Sequence, residues 1–236
     1  MKKVLLTAVL TVATAAASAV RADTAETGEA FLSVQAGRSQ FASNQLLMPR
    51  PSGLFIGTRD DHSDRSDQAF GISGGYRWPV SESIKVGIEG GYVDLGNATA
   101  RYSQHQDFIG SYIDSRENRR EKAQAPFVGF NGRWIIGDAW SLTARGGIAR
   151  YRSRLDVDGA STLSSGSSSE SHEKYERTSL SYYYGLSFGY DITSRLGIAL
   201  SFDRYNPEVK GQVFGQLRKE NVRVTVPGLR AEYRFQ

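Results

Sequence analysis

The sequence contains no cysteine, so disulfides, thiolate metal sites and cysteine nucleophiles are excluded. With only 3 histidines, imidazole ligands for a metal are scarce. Long apolar runs are missing as well. Past residue 22 none reaches the eighteen or more residues that a spanning helix requires, which excludes a helical membrane protein. Nor is there a large charge of one sign, because 29 lysines and arginines face 25 aspartates and glutamates. The small excess sits at the start. Met1 to Ala22 opens with Lys2 and Lys3, runs through an apolar stretch from Val4 to Ala19 and closes on small residues, the layout of a secretory signal peptide. Cleavage is expected after Ala22, with Ala19 as the second choice. Losing Lys2, Lys3 and Arg21 leaves 26 basic against 25 acidic residues, so the electrostatic case for a nucleic-acid partner disappears.

What the sequence does have is 25 glycines, 12 tyrosines and a period of two. From Ile84 to Tyr92, Ile84, Val86, Ile88 and Tyr92 share one face of an extended chain, while Lys85, Gly87, Glu89 and Gly91 share the other. Similar stretches carry Ala30, Leu32, Val34 and Ala36; Phe70, Ile72, Tyr76 and Trp78; Val128, Phe130, Trp134 and Ile136; and Trp140, Leu142, Ala144 and Ile148. Further along, Leu180 to Tyr190, Leu196 to Phe202 and Leu229 to Phe235 alternate in the same way. Val222, Val224 and Val226 have the opposite parity to the last set, which predicts a bulge near Pro227-Gly228.

These stretches make eight strands of about nine to eleven residues, the length of a tilted transmembrane strand. Their links alternate: short ones at 79–83, 137–139 and 191–195, and long ones at 39–67, 95–122, 155–177 and 206–220. The pattern predicts an all-β fold, an eight-stranded antiparallel up-and-down transmembrane barrel with short periplasmic turns and long extracellular loops, occupying residues 23–236. A soluble barrel or sandwich would need a charged outer face, whereas the second face here is mostly glycine and serine. Trp78, Trp134, Trp140 and Tyr190 cluster by the short turns as an interfacial girdle would.

An eight-stranded barrel is just wide enough for side chains to fill it. The inward parity supplies small residues and nine charges: Arg77, Lys85, Glu89, Arg133, Arg145, Asp203, Arg230, Glu232 and Arg234. Burial demands that Glu89, Asp203 and Glu232 bridge neighbouring arginines. Two readings stay open, a polar plug and a gated narrow pore in which six bases against three acids would favour anions.

The strand running into a loop, Glu89-Gly90-Gly91-Tyr92-Val93-Asp94-Leu95-Gly96, resembles a segment of OmpA-like and opacity-type outer-membrane barrels. The terminal stretch Gly228-Leu229-Arg230-Ala231-Glu232-Tyr233-Arg234-Phe235 is similar to the assembly signal of that family, carried here by Leu229, Ala231, Tyr233 and Phe235, although Gln236 follows the aromatic that normally closes the chain. The resemblance implies an outer-membrane location and recognition by the outer-membrane assembly machinery. No peptidoglycan-binding domain is expected after Phe235.

No catalytic, cofactor or metal site is predicted. His62, His105 and His172 fall in different loops, and a serine triad with Ser63 or Ser171 has no supporting motif. The acid-rich stretch 60–67 lacks the spacing of a calcium loop. Arg116, Arg119, Arg120 and Lys122 would sit just above the membrane, where they could meet lipopolysaccharide phosphates. The serine-rich stretch 158–170 reads as a mobile loop. Leu46, Leu47, Met48, Leu54, Phe55 and Ile56 form an apolar cluster that suits either a partner surface or packing on the barrel rim. Function is expected to be structural or a surface interaction with a host or surface ligand through the loops. A narrow porin-like channel is the alternative, and a lipid-modifying enzyme a weaker one.

Overall fold

The structure is a computed structural model that describes residues 28–44, 46–47, 57–108, 110–213 and 216–235. The signal-peptide stretch 1–22 and the side chains of Met48, Leu54, Phe55 and Ile56 lie outside these residues. The described residues form eleven strands: β1 (Glu29–Phe41), β2 (Gly57–Asp64), β3 (Ser66–Pro79), β4 (Ile84–Phe108), β5 (Ser111–Ile136), β6 (Trp140–Leu163), β7 (Ser168–Asp191), β8 (Leu196–Tyr205), β9 (Glu208–Val213), β10 (Gln216–Asn221) and β11 (Val224–Phe235). Eight of them close into an antiparallel ring in which β1 pairs with both β3 and β11, and β4 pairs with both β3 and β5. Strand β2 adds to the upper part of β4, and β9 and β10 form a separate hairpin.

The apolar set points outward. Phe130 is 73% exposed, Leu180 69% and Leu200 66%, while Arg77 is 1% and Asp203 1% exposed. Such an inversion is stable only where hydrocarbon is the outer solvent and a closed ring satisfies every backbone group. Apolar exteriors end abruptly along each strand: above Tyr92, Val128, Ile148 and Leu180 the outward residues become polar.

Four strands are far longer than the membrane needs. Strands β4 to β7 have 25, 26, 24 and 24 residues, against the 9–11 or so that cross a bilayer. The segments 95–122 and 155–177, expected as loops, are therefore continuations of the strands into two tall hairpins. The serine-rich stretch 158–170 is paired as well, with Asp158↔His172 and Ser161↔Ser169 in register, and only the tip at 164–167 turns. Alternation failed as a signal there because both faces of a water-surrounded strand are polar, and because pairing that starts in the barrel propagates upward once register is fixed.

The bulge expected at Pro227-Gly228 is absent. Gly37↔Gly228 and Gln40↔Thr225 keep one register with β1, and Pro227↔Phe202 continues the ladder with β8. Val222, Val224 and Val226 simply face the interior, at 1%, 0% and 1% exposure. A bulge does occur between Asp94 and Asn97, at the level where β4 leaves the apolar band. Gly96 takes φ +74° there, its N–H donates to Asp94 Oδ1 at 3.0 Å, and Asn97 N donates to Asp67 Oδ2 at 2.9 Å. This extra residue switches parity, so that Ala98 and Ala100, instead of Thr99 and Arg101, turn inward. A Cβ on Gly96 would meet Gln68 O at 2.6 Å. Gly96→Ala is expected to cost about 1–2 kcal/mol from the left-handed backbone alone, read as a lower urea midpoint for the vesicle-inserted protein; an unchanged midpoint would remove the bulge from the account.

Candidate functional site

Alternation alone aims the interior side chains. On the turn side, Arg77 donates from Nη1 and Nη2 to the two Glu232 carboxylate oxygens at 2.8 Å each, and from Nε to Asn131 Oδ1 at 2.7 Å. Its guanidinium lies 3.9 Å from the Phe31 ring centroid. Glu29 receives Lys85 Nζ at 2.7 Å and Arg77 Nη1 at 3.3 Å. Asp191 joins Arg133 at 2.6 Å and Arg234 at 3.0 Å. Such fork-to-fork geometry is what makes buried arginine pairs tolerable.

Midway up, Asp203 is the hub. Arg145 Nη2 lies 2.7 Å and Arg230 Nη2 3.5 Å from its oxygens, and Gln35 Nε2 donates to Oδ2 at 2.5 Å. Glu89 accepts from Tyr183 Oη at 2.8 Å, lies 3.6 Å from Arg145 Nη1, and receives Asn131 Nδ2 at 3.4 Å. Asn131 thus ties the two layers together. Gly185 leaves the space that Asp203 occupies, since a Cβ there would lie 1.8 Å from Asp203 Oδ1.

All nine sequence-predicted interior charges join this network, with Lys85 and Glu232 only half-buried. Two members were missed. Glu29 shares its parity with Phe31, Ser33 and Gln35, a signal that was available; Asp191 ends β7 and reads from sequence as part of the turn. With them the balance becomes six bases against five acids, so the lumen carries almost no net charge to select anions.

Above the charges the interior becomes apolar, which alternation did not reveal. Phe41, Val93, Leu95, Phe127, Tyr151, Leu155, Val209 and Val224 form one buried cluster. Leu46 and Leu47 descend into it at 0% and 1% exposure, so this part of the first-loop apolar cluster packs within the barrel mouth. Arg119 Nη1 donates to Leu46 O at 2.5 Å. Asn44 receives Leu47 N at 2.6 Å and donates to Glu121 Oε2 at 2.9 Å. Glu121 is fully buried, its Oε1 has no hydrogen-bond partner among the described residues, and burial pushes its carboxyl up to about 7.

The family profile described as outer membrane protein beta-barrel domain matches residues 5–235. The chain belongs to this family. That membership places the protein in the outer membrane. No curated protein sequence matches it. Among solved structures, Ail of Yersinia pestis, the attachment invasion locus protein, is 15% identical over 89% of this chain and 99% of its own, with a TM-score of 0.43. OprG of Pseudomonas aeruginosa is 12% identical over 91% and 100%, with a TM-score of 0.45. Neisserial surface protein A is 10% identical over 87% and 97%, with a TM-score of 0.40.

The outer surface of this outer-membrane barrel carries the remaining residues singled out by sequence. Trp78, Trp134, Trp140 and Tyr190 are 47%, 51%, 47% and 44% exposed at the turn-side ends of β3, β5, β6 and β7. Trp140 packs on Phe188 and Tyr190, each with centroids 5.0 Å away. In β11, Leu229 and Tyr233 are exposed, and Ala231 and Phe235 half-buried, on the lipid side. Arg116 and Arg120 point outward, and Lys122 pairs with Asp94 at 3.3 Å. Arg119 does not join them. It is 6% exposed and faces inward with Glu121 and Ala123, because adjacent residues of a strand point to opposite faces, so it is withdrawn as a lipopolysaccharide contact.

The same rule separates each histidine from its neighbouring serine, His62 from Ser63 and His172 from Ser171. Across the raised sheet, His62, Arg101, Asn118, Asp158 and His172 form one transverse row, with His172 Nδ1 2.5 Å from Asp158. His105 sits 2.5 Å from Asp114, which raises its imidazole pKa. Among the described residues no group of three histidine or carboxylate side chains converges as a metal site would require.

Proposed function

We propose that this protein is a stoppered outer-membrane barrel that works through the sheet it raises above the membrane, as a surface-contact or envelope-stabilising protein. The observation that carries this reading is the double closure of the lumen. Paired charges fill its lower half, and apolar side chains from β9 and the segment after β1 fill its mouth. The space left among Arg133, Asp191, Arg230 and Glu232 is about 20 Å³, room for about one water. A groove of about 780 Å³ crosses the outer face of the raised sheet between Asp60, His62, Arg101, Arg116, Asp158 and His172. Its mixed charge suits a polar or charged surface ligand. Residues 1–22 serve as a removed export signal, and Leu229, Ala231, Tyr233 and Phe235 present the strand read by the assembly machinery.

Wild-type protein in planar bilayers is expected to show no unit conductance. Shortening both tall hairpins by removing residues 101–118 and 158–172 should preserve the heat-modifiable gel shift of a folded barrel while abolishing cell attachment or serum survival. Stable unit currents from the wild type, or unchanged surface phenotypes after both deletions, would overturn the proposal.

A further inference from the structure

On the outer wall of β5 and β6 an apolar notch lies below two arginines, Arg150 and Arg152, that form no ion pair among the described residues. The notch, about 510 Å³, is floored by Gly132, Ala144 and Gly146 and walled by Trp78, Ile88 and Phe130. Gly132 and Gly146 are outward-facing positions in the middle of the hydrocarbon band, and a Cβ on Gly132 would touch nothing. Glycine in a lipid-facing strand leaves a dent in a wall that is otherwise built of large side chains. Four residues farther along β6 than Gly146, about 13 Å at roughly 3.3 Å per residue, stands Arg150, followed on the same face by Arg152 and Arg154. Arg154 has Asp156 at 2.7 Å and Lys122 has Asp94 at 3.3 Å. Among the described residues no acid lies within ion-pair distance of Arg150 or Arg152, and both are exposed; the acid that feels Arg152 through space, Glu176, is itself paired with Lys174 at 2.7 Å. Register places them beside Pro126 and Gln124 of β5 and Leu180 and Thr178 of β7, the rows where the outer face changes from apolar to polar.

We propose that this wall is a binding site for a single phosphorylated, multiply acylated glycolipid of the outer leaflet, the lipid A part of lipopolysaccharide. A phosphate sits between Arg150 and Arg152 with Lys122 one strand over, and an acyl chain runs down β6 past Ile148 into the glycine-floored notch. Charge complementarity selects the occupant. Exposed guanidinium groups without an acid at ion-pair distance, at the polar boundary, call for a phosphate, and an apolar dent continuing directly below them calls for a chain attached to that phosphate. The tall hairpins mark this end of the barrel as the extracellular side, where the leaflet supplies a phosphorylated glycolipid. The site depends on the orientation in the membrane and is independent of the surface-contact reading.

The test is titration of the detergent-folded full chain with diphosphorylated lipid A, followed by native mass spectrometry. One tightly bound equivalent is expected, weakened about tenfold or more by Arg150→Ala with Arg152→Ala, and by a similar factor when the lipid is dephosphorylated. Gly132→Leu fills the notch from the lipid side and should weaken binding comparably, with the heat-modifiable shift of the folded barrel intact. Phosphatidylglycerol should bind more weakly and be insensitive to Gly132→Leu. Equal affinity for phosphatidylglycerol, binding of many equivalents without saturation, or wild-type affinity in both variants would overturn the site. Attachment phenotypes should survive all these substitutions, so a loss of lipid binding and a loss of surface contact are read separately.

Discussion

Replacing Asp203 by alanine is expected to destabilise the folded barrel by about 3–5 kcal/mol, the usual cost of stranding a buried charge. Asp203 is 1% exposed and is the acid shared by Arg145 and Arg230, with Gln35 completing its shell. Among the described residues Arg145 then keeps only Glu89, at 3.6 Å, within ion-pair distance, and Arg230 loses the one acid within that distance of it. Coupling is the sharper measure. Arg145→Met and Asp203→Leu together should cost less than the two single changes added, by about 1–3 kcal/mol, because the double change removes both charges. Equilibrium urea unfolding in lipid vesicles, followed by tryptophan fluorescence, supplies all four corners of the cycle. Simple additivity would mean that the network is solvated and the lumen wet.

Glu121 governs a second large effect, this one dependent on pH. Its carboxyl lies above the hydrocarbon in the apolar mouth, accepts only from the uncharged amide of Asn44 among the described residues, and feels Glu220 as a like charge. Burial raises its folded pKa to about 7 from an ordinary value near 4.5. The native state then binds more protons than the unfolded chain between these values, so stability must fall as pH rises through that window. The contribution is fully present below about 4.5 and gone above about 7. A gap of that size corresponds to about 3 kcal/mol, at about 1.4 kcal/mol per unit. Glu121→Gln keeps the amide within reach of Asn44 and carries no proton, so its stability should exceed the wild type's at pH 8, equal it near pH 4.5, and show a flatter pH profile between. His105 also titrates with a raised pKa and is common to both proteins, so the difference between their profiles isolates Glu121. Identical profiles would show that water reaches this carboxylate and that the mouth is not sealed.

These two sites differ in how far the sequence announced them. Asp203 could be read directly, because Leu200 and Phe202 fix the lipid-facing parity of β8 and the residues of the other parity must point into the lumen. The same parity named Arg77, Glu89, Arg145 and Arg230, and it would have named Glu29 if applied one residue earlier in β1. Glu121 could not be read this way. It stands in a strand flanked by Arg120 and Lys122, above the level where lipid makes the two faces chemically distinct, so alternation carries no information there.

Hydrocarbon is therefore the physical reason for what the sequence determined alone: eight crossing strands, their order, the outward girdle and the inward charges all follow from one face having to be apolar. Outside the membrane that constraint ends, and tertiary structure decided the rest. Pairing propagated from the barrel turned polar segments into tall hairpins, the bulge at Gly96 reset the parity that sends Ala98 and Ala100 inward, and chain segments far apart in sequence brought Leu46, Val209 and Val224 together as a stopper. Each of these depends on which residue lies opposite which across a strand pair, a relation set by closure of the ring and invisible in any single stretch of sequence.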